Sequence, residues 1–98
     1  MNAIDKIQLQ IAALLQARNY LLNQTPSDMV ALADVTEKII ALNRRQSALT
    51  GNPNPLPLLT TAQEQNLQSA IQTLDNEVKQ SKAASDILVA ATALANVA

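Results

Sequence analysis

The sequence predicts an all-α fold, a small antiparallel helical bundle, and three observations support this prediction. The chain of 98 residues is 48% hydrophobic, almost entirely through Ala, Leu, Ile and Val, with no Phe or Trp and a single Tyr. One glycine and four prolines leave long stretches without a helix breaker. Apolar residues recur at steps of three and four, which is the period of an amphipathic helix. A chain of this length is expected to form one domain, residues 1–98, around one modest core.

The first predicted helix covers residues 2–23. Its apolar stripe predicts the face that packs on the core and consists of Ile4, Ile7, Ile11, Leu14 and Leu21. Leu15 and Leu22 widen this stripe. Arg18 occupies the remaining position of the stripe. We interpret it as a side chain whose stem lies against the core while its guanidinium reaches solvent.

The second predicted helix covers residues 26–49. Thr25 is the predicted N-cap, Pro26 suits the first helical position, and Ser27 is an alternative cap. The core-facing stripe consists of Leu32, Val35, Ile39, Leu42 and Leu49, and further apolar surface comes from Met29, Val30 and Ile40. Because the connection to the first helix is only about two or three residues long, we predict that these two helices pack antiparallel.

A proline-rich linker is predicted at residues 50–59. Gly51 suits the end of a helix, while Pro53, Pro55 and Pro57 exclude helix and favour an extended backbone. Ten extended residues reach about 30 Å. The linker can therefore cross the end of the bundle or run alongside it.

The third predicted helix covers residues 60–97. It begins with two overlapping capping boxes, Thr60 with Gln63 and Thr61 with Glu64. Its first apolar stripe consists of Leu67, Ile71, Leu74 and Val78. We favour one continuous helix, because no residue after this stripe breaks a helix. The alternative is a break near residues 81–85, with Ser85 capping a fourth helix. Pairs of opposite charge lie four residues apart at Asp34–Lys38, Asp75–Lys79 and Lys82–Asp86.

The continuous third helix would be longer than the other two. It would extend some 57 Å, against about 33–36 Å for the first and second helices. The excess is the segment Ser85 to Ala98, which is apolar around most of its circumference and needs cover on several sides. Either the segment folds back as a fourth helix, or another chain covers it. In the second case the candidate interface consists of Ile87, Leu88, Ala91, Leu94 and Val97.

Composition argues against several kinds of function. The chain has no His and no Cys, so the usual general base, the thiol nucleophile and the common transition-metal ligands are missing. The single glycine cannot build a phosphate-binding loop, and each carboxylate has a helix-cap or ion-pair explanation. A net charge of −1 without a basic patch argues against nucleic-acid binding. We predict no enzyme activity, no cofactor and no metal site.

Two hypotheses for function remain. The first is a small helical bundle that binds a protein partner or self-assembles through its apolar C-terminal helix. The alternative is a carrier of an apolar ligand or a protein that acts at a membrane surface. Such a protein could be a secreted subunit. Helices that lie on a membrane surface usually carry Lys and Arg on the polar face and an aromatic anchor, and the C-terminal segment has neither. The sequence therefore favours a protein partner.

The sequence leaves the cellular location open. The N-terminal residues lack the basic region and the continuous apolar run of a signal peptide. The apolar C-terminal run is shorter than the roughly 20 residues that cross a bilayer, so we expect no stable membrane insertion. These features agree with the cytoplasm, and also with export by a route that leaves the chain uncleaved.

Overall fold

The computed structural model describes all 98 residues and contains four α-helices. They are α1 (Ala3–Leu22), α2 (Met29–Thr50), α3 (Thr61–Lys79) and α4 (Ala84–Ala95). The predicted all-α helical bundle is confirmed. Its fourth helix arises because the segment predicted as the third helix is interrupted between Lys79 and Ala84.

Helices α1 and α4 form the centre of the bundle. Each of them packs against the three other helices, whereas α2 and α3 lie on opposite sides and do not contact each other. Two hydrogen bonds show that α4 runs antiparallel to α1. The Tyr20 hydroxyl donates to the Lys82 carbonyl (2.6 Å), and the Gln10 side-chain amide donates to the Leu94 carbonyl (2.9 Å). The Cα trace measures 46 × 25 × 14 Å, so the bundle is flat and its core is thin.

The core consists of aliphatic side chains from all four helices. Buried positions from the predicted stripes are Ile7, Leu14, Leu21, Leu32, Val35, Ile39, Leu42, Leu67 and Leu74. The other residues of the stripes are only partly buried: Ile4, Ile11, Leu49, Ile71 and Val78. Without aromatic rings, the core depends on many small contacts between methyl and methylene groups.

The start of the second helix differs from the prediction. Asp28, rather than Thr25 or Ser27, is the N-cap, and its carboxylate accepts a hydrogen bond from the Ala31 amide (3.0 Å). The Ser27 hydroxyl instead donates to the carbonyl of Leu22, the last residue of α1, and to that of Gln24 in the connection that follows. With Asp28 as the N-cap, α2 begins at Met29.

The proline-rich linker lies across the end of the bundle. It leads from α2 to α3, which are on opposite sides of the central pair. On the way it meets the beginning of α1, where the Leu59 amide donates to the Met1 carbonyl (2.8 Å) and Asn2 forms an isolated β-bridge with Leu58. The predicted capping box of Thr60 and Gln63 is present, with both of its hydrogen bonds formed (2.9 and 3.1 Å).

The chain reverses direction at Ser81, so the favoured continuous third helix is wrong. Ser81 has φ 54°, in the left-handed region. The Lys82 amide donates to the Glu77 carbonyl and the Ser81 amide to the Val78 carbonyl, both at 3.1 Å. These two bonds are those of a Schellman motif, the usual end of a helix, with serine where glycine is commonest. Burial of the apolar C-terminal segment within the same chain outweighs the local preference for helix.

The reversal also changes local interactions that the sequence predicts. Lys82 lies in the turn, so it forms no ion pair with Asp86. Ala83, rather than Ser85, occupies the N-cap position of α4, and it supplies no side-chain hydrogen bond. The other two predicted ion pairs are formed: Asp34–Lys38 and Asp75–Lys79.

Replacing Ser81 with glycine should stabilise the protein. A non-glycine residue in the left-handed region costs roughly 1 kcal/mol, so Ser81→Gly is expected to gain about 0.5–1 kcal/mol. Ser69, which is exposed in the middle of α3, is the matched control. Ser69→Gly is expected to lose about 0.5–1 kcal/mol in a helix interior. Urea denaturation gives the change in the free energy of unfolding for each variant. Equal losses of stability in the two variants would place Ser81 inside a continuous helix.

Candidate functional site

The proposed C-terminal interface is not an exposed surface in this structure. Ile87, Ala91 and Leu94 are fully buried in the core, and Leu88 and Val97 are partly buried against it. The reason is the reversal at Ser81, which places α4 against the other three helices. Of the two arrangements that the sequence allows for this segment, cover within the chain is the one observed.

Several large apolar side chains are nevertheless exposed. They are Leu9, Leu15, Leu22, Met29, Val30, Ile40, Leu58 and Val89. Single exposed apolar residues are ordinary, whereas a group on one surface indicates a contact site. Half of these residues belong to one surface of the α1–α2 pair. That surface is the main candidate site.

We call this surface the hairpin face and define it as Leu15, Arg18, Leu22, Met29, Ala33, Thr36 and Ile40. In α1 its members are spaced by three and four residues, and in α2 by four, three and four, so each set lies along one side of its helix. The two sides meet where the Arg18 Nε donates to the Thr36 hydroxyl oxygen (3.1 Å). Because the helices are antiparallel, Leu15 and Ile40 lie near each other, about one helical turn from this hydrogen bond.

Arg18 gives the hairpin face its charge. Its side chain is only partly exposed, in agreement with the predicted stem against the core, and it forms no ion pair. The hydrogen bond to Thr36 uses one of the five N–H donors of the guanidinium. The centre of an otherwise apolar surface therefore carries a cation with free donors, which suits a carboxylate oxygen.

A groove between α1 and α3 is a second concave feature. It has a volume of about 300 Å³, near the lower limit for small-molecule sites. Its lining is mainly aliphatic, with Leu9, Ala12, Ala13, Ile71, Leu74 and Val78 as the apolar members. The polar members are Gln16, Gln72 and Asp75, and the Asp75 carboxylate is paired with Lys79 (2.8 Å). The groove can hold an apolar group along its floor.

The charged residues do not converge on a reactive site. No group of three or more metal-binding side chains is present. Partial burial, and next the nearby Arg45, lower the pKa of Lys6. This lysine stands beside the linker, where Ala3, Pro57 and Leu59 line a small recess with it. No general acid or base stands opposite Lys6 in that recess, so we assign it no chemistry.

Comparison with known protein families, curated proteins and solved structures finds no match for this chain. None of the four helices combines the length and the hydropathy that crossing a membrane requires. The candidate site therefore rests on the geometry of this chain alone.

The sequence alone does not predict the hairpin face. Its pattern places Leu15 and Leu22 at the edge of a core stripe, and Met29 and Ile40 as additional apolar surface. Nothing in the sequence states which edge of a stripe a neighbouring helix will cover. The one available signal is that apolar residues beside the stripe occur in both helices of a pair predicted to be antiparallel.

Proposed function

We propose that this chain is a non-enzymatic helical bundle that acts by binding another protein through the hairpin face. The observation that carries this proposal is the grouping of Leu15, Leu22, Met29 and Ile40 on one surface, each exposed by 44% or more. Their exposure leaves apolar area in water that a partner can cover. Self-assembly through the same face is the other form of this proposal.

The chemistry of the face indicates the kind of partner. Two lines of aliphatic side chains along antiparallel helices form a surface that suits the apolar side of a third helix. Arg18, at the centre and without an ion pair, complements a carboxylate. We therefore expect an amphipathic helix that carries an acidic side chain beside its apolar stripe.

A synthetic peptide provides the test. The probe is an amphipathic helix of about five turns, with leucine along one side and glutamate beside it. In solution NMR, its titration should shift the amide resonances of the hairpin face. A matched peptide with lysine in place of glutamate should bind roughly five-fold more weakly, because an exposed ion pair contributes up to about 1 kcal/mol. No shifts, or shifts confined to other surfaces, would contradict the proposal.

Two exposed aliphatic residues on different helices provide matched variants. Met29 belongs to the hairpin face, whereas Val89 is 71% exposed on α4, outside that face. We expect Met29→Glu to weaken peptide binding roughly ten-fold, since it removes apolar contact and introduces a charge. Val89→Glu adds the same charge to another helix and should change the affinity by less than about two-fold. Equal effects of the two variants would point to net charge instead of contact.

A second candidate function is the binding of an apolar ligand in the groove between α1 and α3. The aliphatic lining and the volume of about 300 Å³ favour it. Dodecanoate is a suitable probe, because its chain matches an elongated apolar groove. Binding there should shift the amide resonances of Ala13 and Val78 and leave the hairpin face unchanged. Absence of these shifts at millimolar dodecanoate would exclude this candidate.

A further inference from the structure

We propose that α4 can exchange between two copies of this chain, with α3 and α4 joined into one continuous helix in each copy. The partner is thus a second copy of the chain, and the interface is the buried surface of α4. This proposal is independent of the hairpin face, which belongs to α1 and α2. It rests on three features of the turn and of the helices on either side.

The closed turn is held in an unfavourable backbone conformation. Ser81 adopts the left-handed region, which glycine occupies without strain and serine does not. Ala83, at the N-cap of α4, supplies no side-chain hydrogen bond to the first turn of that helix. Both features are removed if the helix continues through residues 80–83. Short hinge loops under strain favour exchange of the element that they connect.

The residues of the turn themselves favour a helix. Gln80, Lys82 and Ala83 have good helix propensity, and neither glycine nor proline occurs between Lys79 and Ala84. In a continuous helix Lys82 and Asp86 come to lie on neighbouring turns and can form an ion pair that the closed turn lacks. The amides at the start of α4 would then be bonded within the helix.

The phase of the two apolar stripes requires a second chain. Nine residues separate Val78, at the end of the α3 stripe, from Ile87, at the beginning of the α4 stripe. Nine residues are about two and a half helical turns, so in a continuous helix the two stripes face opposite directions. The α3 stripe faces its own α1, and the α4 stripe then faces away from its own chain. A second copy with a vacant α4 position covers it.

The contacts of α4 are the same in the closed and exchanged forms. Ile87, Ala91 and Leu94 enter an identical core, and the Gln10 amide of one copy donates to the Leu94 carbonyl of the other. The two forms therefore differ mainly in the turn and in the entropy of association. Concentration during folding decides which form is obtained.

The experiment compares turn variants after refolding. Each protein is unfolded in guanidinium chloride, refolded at low and at high concentration, and measured by light scattering. Removing the strain of one left-handed residue changes the equilibrium between the closed and exchanged forms by a factor on the order of five. We expect the dimer fraction after concentrated refolding to be greatest for Ser81→Ala, intermediate for the unmodified chain and least for Ser81→Gly. Ser69→Ala, in the middle of α3, should behave as the unmodified chain.

Cross-linking shows whether the dimer has exchanged α4. The chain has no cysteine, so Ala41→Cys and Ala95→Cys, which line one cleft between α2 and the end of α4, give a specific pair for a short bismaleimide. An exchanged dimer yields covalently linked chains of twice the mass on a denaturing gel. A dimer joined through the hairpin face yields single chains with an internal cross-link. That result, or a monomer for every variant after concentrated refolding, would overturn the exchange.

Discussion

Replacing Leu94 with aspartate is expected to unfold the protein. Leu94 is fully buried at the end of α4, beside the Gln10 amide that donates to its carbonyl. The substitution removes about 1.5–3 kcal/mol of apolar burial. It also places a carboxylate in the core, where an unpaired charge costs several kcal/mol more. This sum approaches the 5–15 kcal/mol that stabilises a typical domain.

Ala93→Asp is the matched control for this prediction. Ala93 is the preceding residue in α4, is exposed, and receives the same charge at nearly the same distance from the end of the helix. A carboxylate near a helix C-terminus costs about 0.3–1 kcal/mol. Circular dichroism during heating should show a cooperative transition for Ala93→Asp and none for Leu94→Asp. A cooperative, nearly unchanged transition for Leu94→Asp would mean that α4 is not part of the core.

Leu14→Ala is expected to cause the second largest loss of stability. Leu14 is completely buried at the centre of α1. Leucine-to-alanine substitutions in protein cores cost about 2–5 kcal/mol, through lost burial and the cavity left behind. The buried core residues are all aliphatic, and the one aromatic side chain packed against them, Tyr20, is held by the hydrogen bond of its hydroxyl to the Lys82 carbonyl. We therefore expect a value in the upper half of the range, measured by urea denaturation.

Leu15→Ala separates stability from binding. Leu15 is the next residue, but it is 44% exposed and belongs to the hairpin face. Its truncation should cost less than about 1.5 kcal/mol of stability, because less of its surface leaves water on folding. Leu15→Ala should also weaken binding of the acidic amphipathic peptide. The folded molecules of the Leu14→Ala variant should bind that peptide with unchanged affinity. Equal losses of stability for the two variants would show that α1 is rotated from the orientation described.

Much of the fold could be predicted from the sequence, because helical periodicity records which side of each helix faces the core. The stripes containing Leu14, Val35 and Leu74 are buried as expected. The capping box at Thr60 is present because its two side chains and two amides are close in sequence. Interactions of this kind depend only on residues within one turn of each other, so no knowledge of the tertiary structure is needed.

The errors occur where tertiary contacts override a local preference. Residues 80–83 favour a helix, but the chain turns at Ser81 because burying Ile87 and Leu94 outweighs the strain of one left-handed residue. The same reversal explains why the candidate interface is buried. At the start of α2, Asp28 is the N-cap instead of Thr25 or Ser27, and the hydroxyl of Ser27 bonds to carbonyl oxygens at and just beyond the end of α1.

The exposed site was the hardest feature to predict. Ala13 and Leu15 lie on opposite edges of the same stripe in α1, and no local rule distinguishes the edges. The structure places the α3 groove on the side of Ala13, which leaves Leu15 and the hairpin face in solvent. Which edge is covered depends on the direction in which the linker and the reversal at Ser81 lead the chain.

The measurement that tests this account most directly is the distance between α3 and α4 in the dilute monomer. Spin labels are attached to cysteines introduced at the exposed positions Ser69 and Ala93, and their separation is measured by double electron–electron resonance. With the reversal at Ser81, the two positions lie on packed helices whose axes are about 10 Å apart. We predict that the distance between the two spin labels exceeds the separation of the helix axes only by the length of the label arms. A distance near 36 Å, which 24 residues of uninterrupted helix would span at about 1.5 Å each, would contradict the account.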